Sequence, residues 1–286
     1  MRDFELLEPG SAQEASRMLL ASGEESRLFA GGTALMLAMR QRLITPSHIV
    51  YLGGVAGLER IEFDPRSGLR IGALARHQEV ADSPIVKSGY PMLAGMAAHV
   101  ANPQVRNQGT IGGNLCYGDP ASDPPGCLMA LGARLCVVGP DGERTIELDQ
   151  FYTDYYQTAL EQGEVLTEIR LPPPAADAKG AYTRFLRTAA EHRPLVNVAV
   201  VVRRRGKTCR EARIAVGASV PIPLRIGRAE IFLKDRTVNP ETLDEAAAIA
   251  AQDINPVSDF RGSSGYRRHM VRVVARRTLA QAFDLC

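Results

Sequence analysis

The chain has 286 residues, 45% hydrophobic and 23% charged, with a net charge of +2 from 34 Lys and Arg against 32 Asp and Glu. That length suits two domains with a sizeable core, and the near-neutral balance carries no electrostatic footprint for nucleic acid. No apolar run approaches the roughly 18 residues that span a bilayer. The opening Met-Arg-Asp-Phe-Glu-Leu-Leu-Glu-Pro lacks the apolar core of a signal peptide, so a cytoplasmic location is expected. Cys116, Cys127, Cys136, Cys209 and Cys286 follow no zinc or iron–sulfur spacing, so free thiols and no metal site are expected. Cys116 sits inside a glycine motif, where it either faces a ligand or fills a small buried space.

In chain order, 11–21 predicts a helix. Ser11 is its N-cap with Glu14 in a capping box, Ala12, Ala15, Met18 and Leu19 lie on one face, and Gly23 stops it. Strands are expected at 48–52, 61–63 and 69–71, then a helix over 91–99 that turns Met92, Leu93, Met96 and Ala97 to a core. A helix near 127–131 precedes strands at 134–138 and 145–148, which flank the turn Pro140-Asp141-Gly142. A strand at 164–171 ends this half. Pro172-Pro173-Pro174 can neither continue a helix nor enter a central strand, so the domain boundary is placed there. Beyond it, 182–187, 196–203 and 212–218 read as an antiparallel sheet, followed by helices near 225–233, 240–251 and 263–282. The last helix has Tyr266, Met270, Val273, Val274 and Leu279 as its apolar side. Its arginines (Arg267, Arg268, Arg272, Arg276, Arg277) form a solvated or partner-docked face. Each half mixes strands and helices, so the fold class is α+β.

Two glycine-rich segments carry the chemistry. Ala30-Gly31-Gly32-Thr33-Ala34-Leu35 follows a short apolar strand and opens a helical pattern, a geometry suited to phosphate. It lacks the Lys of a P-loop and the spacing G-x-G-x-x-G. About 80 residues later comes Gly109-Thr110-Ile111-Gly112-Gly113-Asn114-Leu115. Such a pair suggests one extended polyphosphate ligand gripped from two sides, its charge met by backbone N–H groups of 31–34 and 111–114. Thr110 and Asn114 add side-chain hydrogen-bonding groups. Asp123 either accepts from ribose or ribityl hydroxyls or caps the helix that opens at Pro124. Asp119 reads as a turn residue, and Arg106 as either a pyrophosphate contact or a salt-bridged strand residue. The five histidines pair with no evident nucleophile, so no catalytic residue is assigned. His77 is retained as a contact candidate.

The two glycine motifs, the lead-in Gln104-Val105-Arg106-Asn107, Asp119-Pro120, Asp123, and Asp259-Phe-Arg-Gly-Ser-Ser-Gly-Tyr266 together resemble one family over essentially the whole chain. It is the medium, FAD-binding subunit of the molybdenum hydroxylases, of the carbon monoxide dehydrogenase and xanthine dehydrogenase type. The resemblance implies a two-part FAD-binding domain of the vanillyl-alcohol-oxidase type over 1–175, with its lobes meeting near 55–60. A C-terminal α+β domain then covers 178–286. It implies FAD contacts at Ala30, Gly31, Gly32, Thr33, Ala34, Gly109, Thr110, Ile111, Gly112, Gly113, Asn114, Asp123 and Leu166. Arg184 or Arg187 stands where the family often has Lys; Arg is planar and always charged, so the two are not equivalent. The implied partners are a small subunit with two [2Fe–2S] clusters and a large molybdopterin subunit, in a dimer of heterotrimers. The implied role is electron transfer from those clusters through FAD to a final acceptor. A self-contained flavin oxidase of the same fold and a flavin-free assembly protein remain as alternatives.

Overall fold

The computed structural model describes residues 2–285; Cys286 lies outside the described residues. The chain opens with a three-stranded parallel sheet in the order Glu5–Leu7, His48–Tyr51, Ser26–Phe29. Helix Ala12–Ala21 packs on it, burying Ala15 against Val50 and Leu52. Ser11 caps that helix through Glu14 N, while the Glu14 carboxylate reaches back to Gly10 N rather than to the cap residue itself.

A five-stranded antiparallel sheet follows, in the order Ile61–Asp64, Gly68–Gly72, Val165–Leu171, Arg134–Gly139, Gly142–Glu147. Its central strand is the last of the five in sequence, and six helices lie between Gly68–Gly72 and Arg134–Gly139. These are His77–Asp82, Pro84–Gly89, Pro91–Ala98, Pro103–Gln108, Ile111–Tyr117 and Pro124–Ala130. They cover one face with Leu93, Met96, Ile111, Leu115 and Leu128, all fully buried.

The third sheet is antiparallel, in the order Ala178–Phe185, Val196–Arg205, Thr208–Gly217, Leu224–Arg225. Helices Gly227–Leu233 and Ser264–Phe283 bury one face of it over Val198, Val200 and Ile214, and helix Pro240–Gln252 packs across both. Helix Pro124–Ala130 packs on the other face, where Ala199 and Ala215 join the core of the five-stranded sheet. A short hairpin, Tyr152–Asp154 with Gln157–Thr158, stands apart from all three sheets.

Several sequence expectations shift. The helix expected near 127–131 spans Pro124–Ala130, and the strand expected at 182–187 spans Ala178–Phe185. Four helices of six or seven residues between 77 and 117 were not anticipated; helices that short are stable only when docked. Arg106 therefore lies on a helix, not a strand, and donates to Gln78 Oε1 and the Val100 carbonyl. On the last helix Tyr266 is exposed rather than core-facing. Arg267, placed on the polar face by its pattern, is 3% exposed; it pairs with Asp259 and donates to the Ala218 carbonyl. No helix among the described residues is long and apolar enough to cross a membrane.

Candidate cofactor site

Strand Ser26–Phe29 delivers Ala30–Ala34 to the start of helix Leu35–Arg40. Gly32 has φ +69°, a left-handed conformation that glycine adopts without steric cost. Gly31 is fixed by a close approach. A Cβ there would stand 2.2 Å from the Gln108 carbonyl oxygen and 2.9 Å from Gly109 Cα. The first loop thus rests directly on the backbone that enters the second motif. The N–H groups of Gly31, Gly32, Thr33 and Ala34 donate to no group among the described residues. They form a row of bare amide donors at the mouth of a cleft.

The second motif behaves differently, and here the sequence expectation is corrected. Thr110 caps helix Ile111–Tyr117 by accepting from Gly113 N at 3.1 Å. Ile111 N donates to Ala75 O and Gly112 N to Ala73 O, each at 2.9 Å, and Asn114 N donates to Thr110 O at 3.0 Å. The amides of 111–114 are therefore spent inside the protein and do not cradle an anion. The cause is tertiary: the helix starts edge-on against the segment 73–75, which takes its first donors. A Cβ on Gly112 would lie 2.6 Å from the Ala73 carbonyl, so that glycine serves helix packing. Gly113 leaves space toward the first loop, where an added Cβ would come within 3.8 Å of Ala30 Cβ.

The two loops share one cleft of about 760 Å³, a size suited to a dinucleotide. Ala30, Gly31, Gly32, Thr33 and Ala34 line it from one side. Gly109, Thr110, Gly112, Gly113 and Asn114 line it from the other, with Leu166 alongside. Ile111 is fully buried beneath the motif and is not a lining residue. Cys116 is half-buried and lines the cleft; burial pushes its thiol up to about 12, so it is a neutral thiol at physiological pH.

His77 also lines the cleft and is 2% exposed. Its N–H backbone donor binds the Gly109 carbonyl, while its ring Nδ1 is buried without a partner. Burial, with Arg106 nearby, lowers its pKa to about 4, so the imidazole is neutral. An orphaned ring nitrogen and four free amides on residues that line one cleft fit a polar ligand there. The depressed pKa also fixes a pH dependence. The unfolded chain takes up a proton near pH 6.5 and the folded chain only near pH 4. The stability this group contributes is complete above pH 6.5 and falls by roughly 3 kcal/mol as pH drops through that window. In His77→Phe that acid-side loss is expected to be absent. Urea midpoints of both proteins at pH 7 and pH 4 check this, and equal acid losses would refute it.

Asp123 and Arg184 lie apart from the lining residues and bind each other. Arg184 Nη1 is 3.2 Å from Asp123 Oδ2, and the Tyr182 hydroxyl donates to Asp123 Oδ1. Arg184 also donates to the backbone carbonyls of His99 and His192. Asp123 is only 4% exposed, and its side chain makes no cap bond to the helix that opens at Pro124. Arg187 pairs with Glu191 instead, beside a second cavity of about 520 Å³. Asp119 accepts from Ala121 N and from Arg193, which fits a turn residue. A chain of hydrogen bonds ties the cleft to the C-terminal sheet: Ser122 Oγ donates to Asn114 Oδ1, and Asn197 Nδ2 donates to Ser122 O.

Sequence reasoning missed Tyr117 and Tyr156, which line the cleft, and Tyr182, which holds Asp123. Tyr117, three residues beyond Asn114, was within reach of the motif; nothing local marked the other two.

Residues 2–174 match the family model described as the FAD binding domain in molybdopterin dehydrogenase, and residues 181–282 the CO dehydrogenase flavoprotein C-terminal domain. The nicotine 6-hydroxylase medium subunit of Paenarthrobacter nicotinovorans is 35% identical over 274 residues, covering 96% of this chain and 95% of that protein. The carbon monoxide dehydrogenase medium chain of Hydrogenophaga pseudoflava is 34% identical, covering 99% of this chain and 98% of the relative. A solved structure of carbon monoxide dehydrogenase from the same organism, lacking the Mo-pyranopterin moiety of its cofactor, contains a chain that superposes with a TM-score of 0.96. Identity there is 35%, and coverage is 100% of this chain and 99% of that one.

Proposed function

This chain belongs to the FAD-binding medium subunits of the molybdenum hydroxylases, and we propose that it is the electron-transfer flavoprotein of such a complex. Bound FAD would supply the redox chemistry that links the [2Fe–2S] clusters of a small subunit to a final acceptor. The primary substrate is turned over on a large molybdopterin subunit, and the complex is a dimer of heterotrimers in the cytoplasm.

In this proposal residues 1–175 hold FAD and 178–286 form the C-terminal domain. The free amides of Gly31–Ala34 neutralise the diphosphate without a basic side chain. The Thr110–Asn114 segment supplies the opposite wall, with Thr110 and Asn114 as polar groups and Gly113 as the space between. Leu166 packs against the ligand. Asp123 and Arg184 act from behind, fixing the 114–123 segment to the third sheet.

The observation that carries this reading is the interlock of the two loops around one cleft with four unused amides on one side. The chain, purified alone and with its two partner subunits, is expected to carry FAD near one per chain. The flavin of the assembled complex should bleach on anaerobic addition of the complex's substrate. Bleaching by a small alcohol in the isolated chain would instead make it a self-contained oxidase. A colourless chain that assembles normally would make it a scaffold.

A further inference from the structure

Tyr156 has φ +55°. It is the second residue of the two-residue turn joining Tyr152–Asp154 to Gln157–Thr158. Glycine or asparagine ordinarily fills a left-handed turn position, and a bulky side chain there is strained. The turn is nevertheless well buttressed. Gly118, itself at φ +66°, ends helix Ile111–Tyr117, and a Cβ on it would come within 3.1 Å of Tyr156 Cα. The bare glycine lets the hairpin sit against the end of the helix whose start carries the second glycine motif.

The Tyr156 ring meets the Tyr117 ring edge-to-face, with centroids 5.3 Å apart and planes at 73°. Both rings are nearly half exposed, so core packing does not explain why aromatic residues stand there. Tyr117 lines the nucleotide cleft, and Tyr156 lines both that cleft and the second cavity. On the second-cavity side Arg193, held by Asp119, points a guanidinium nitrogen at the Tyr156 hydroxyl, 3.4 Å away. The glycine loops grip the cleft between its ends. The cleft is lined elsewhere by the aliphatic side chains of Leu19, Leu28, Leu35 and Ile44. Tyr156 lines the cleft and the second cavity alike, so the two adjoin at its side chain.

We propose that Tyr156, backed by Tyr117, is the wall against which the flavin ring of bound FAD rests, separating that ring from the second cavity. This rests on the FAD-binding role above. It makes Tyr156 a cofactor-contact residue and accounts for a strained tyrosine being kept at a turn.

The test compares Tyr156→Gly and Tyr156→Phe with the parent chain carrying its flavin. Relief of strain offsets lost contacts in Tyr156→Gly, so its melting temperature without flavin should be unchanged or about 2 °C higher. Its affinity for FAD should fall about 3- to 10-fold, the size of an aromatic contact. The fluorescence of the flavin that remains bound should rise as the neighbouring ring is removed. Tyr156→Phe should restore the melting temperature and the affinity while leaving the fluorescence raised, because a phenyl ring packs like the phenol but does not donate an electron to the excited flavin. Tyr156→Asn, which tolerates the left-handed conformation, serves if the glycine variant does not fold. Weaker FAD binding with unchanged bound-flavin fluorescence would place the adenine end there and overturn the proposal. So would Tyr156→Phe binding FAD as weakly as Tyr156→Gly. A parent chain that takes up no FAD removes the FAD-binding role itself, and this inference with it.

Discussion

Gly31→Val is expected to empty the nucleotide cleft while leaving the chain folded. A Cβ at residue 31 falls 2.2 Å from the Gln108 carbonyl oxygen and 3.0 Å from its carbon, and neither can rotate away. The loops must part, at a strain of about 1–3 kcal/mol. In the proposed cradle, moving the first loop withdraws amide donors from the diphosphate. Two lost charge-assisted hydrogen bonds weaken binding by roughly 100-fold or more. Gly113→Val acts from the other side, since its Cβ would stand 2.7 Å from Thr110 Oγ1 and break the cap at Gly113 N. Flavin content per chain after gel filtration, with circular dichroism to confirm folding, checks both. Full FAD occupancy in the two variants would refute the cradle.

The second large effect is expected at Asp123. Asp123→Ala leaves the Arg184 guanidinium, only 13% exposed, without its counter-charge, and the Tyr182 hydroxyl without its acceptor. Breaking such a pair from one side costs about 3–5 kcal/mol. Replacing both partners with apolar side chains, as in Asp123→Leu with Arg184→Met, should cost less than the single change, because no buried charge is then stranded. Denaturant midpoints of the single and double variants check this; a double variant less stable than Asp123→Ala would refute the ion-pair account.

Burial lifts the Asp123 carboxyl to about 6, against the pull of Arg184 and Tyr182. The folded chain therefore holds this proton above the ordinary value of 3.8. The group's stabilising contribution is complete below that value and is lost as pH rises to about 6. It runs opposite to the His77 effect over much of the same range, so the intact chain should show a flatter acid profile than either group alone would produce.

The helix from Ala12, the turn at Pro140-Asp141-Gly142 and the long helices of the second half were legible because each is written in neighbouring residues: a cap, a stop or a period. Most of the short helices leading up to and carrying the second glycine motif were not. Pro91–Ala98 was found from its run of Met, Leu and Ala, but Pro103–Gln108 and Ile111–Tyr117 owe their existence to docking. The last helix shows the limit of periodicity, since Arg267 lies buried because Asp259 and the Ala218 carbonyl meet it.

The candidate site divides in the same way. The residue types and order of Ala30–Ala34 and Gly109–Asn114 were determined by sequence alone, as was the expectation that they meet a phosphate-bearing ligand, because glycine and threonine carry their conformational freedom and hydroxyls wherever they stand. Which amides remain free was decided only by tertiary structure. The segment 73–75 consumes the donors of the second motif and leaves those of the first. Asp123 finds Tyr182 and Arg184 some sixty residues away, and Tyr156 is brought from a separate hairpin to the edge of the cleft. A hydrogen bond or a ring contact belongs to two places in the chain at once, and only the packed fold brings those places together.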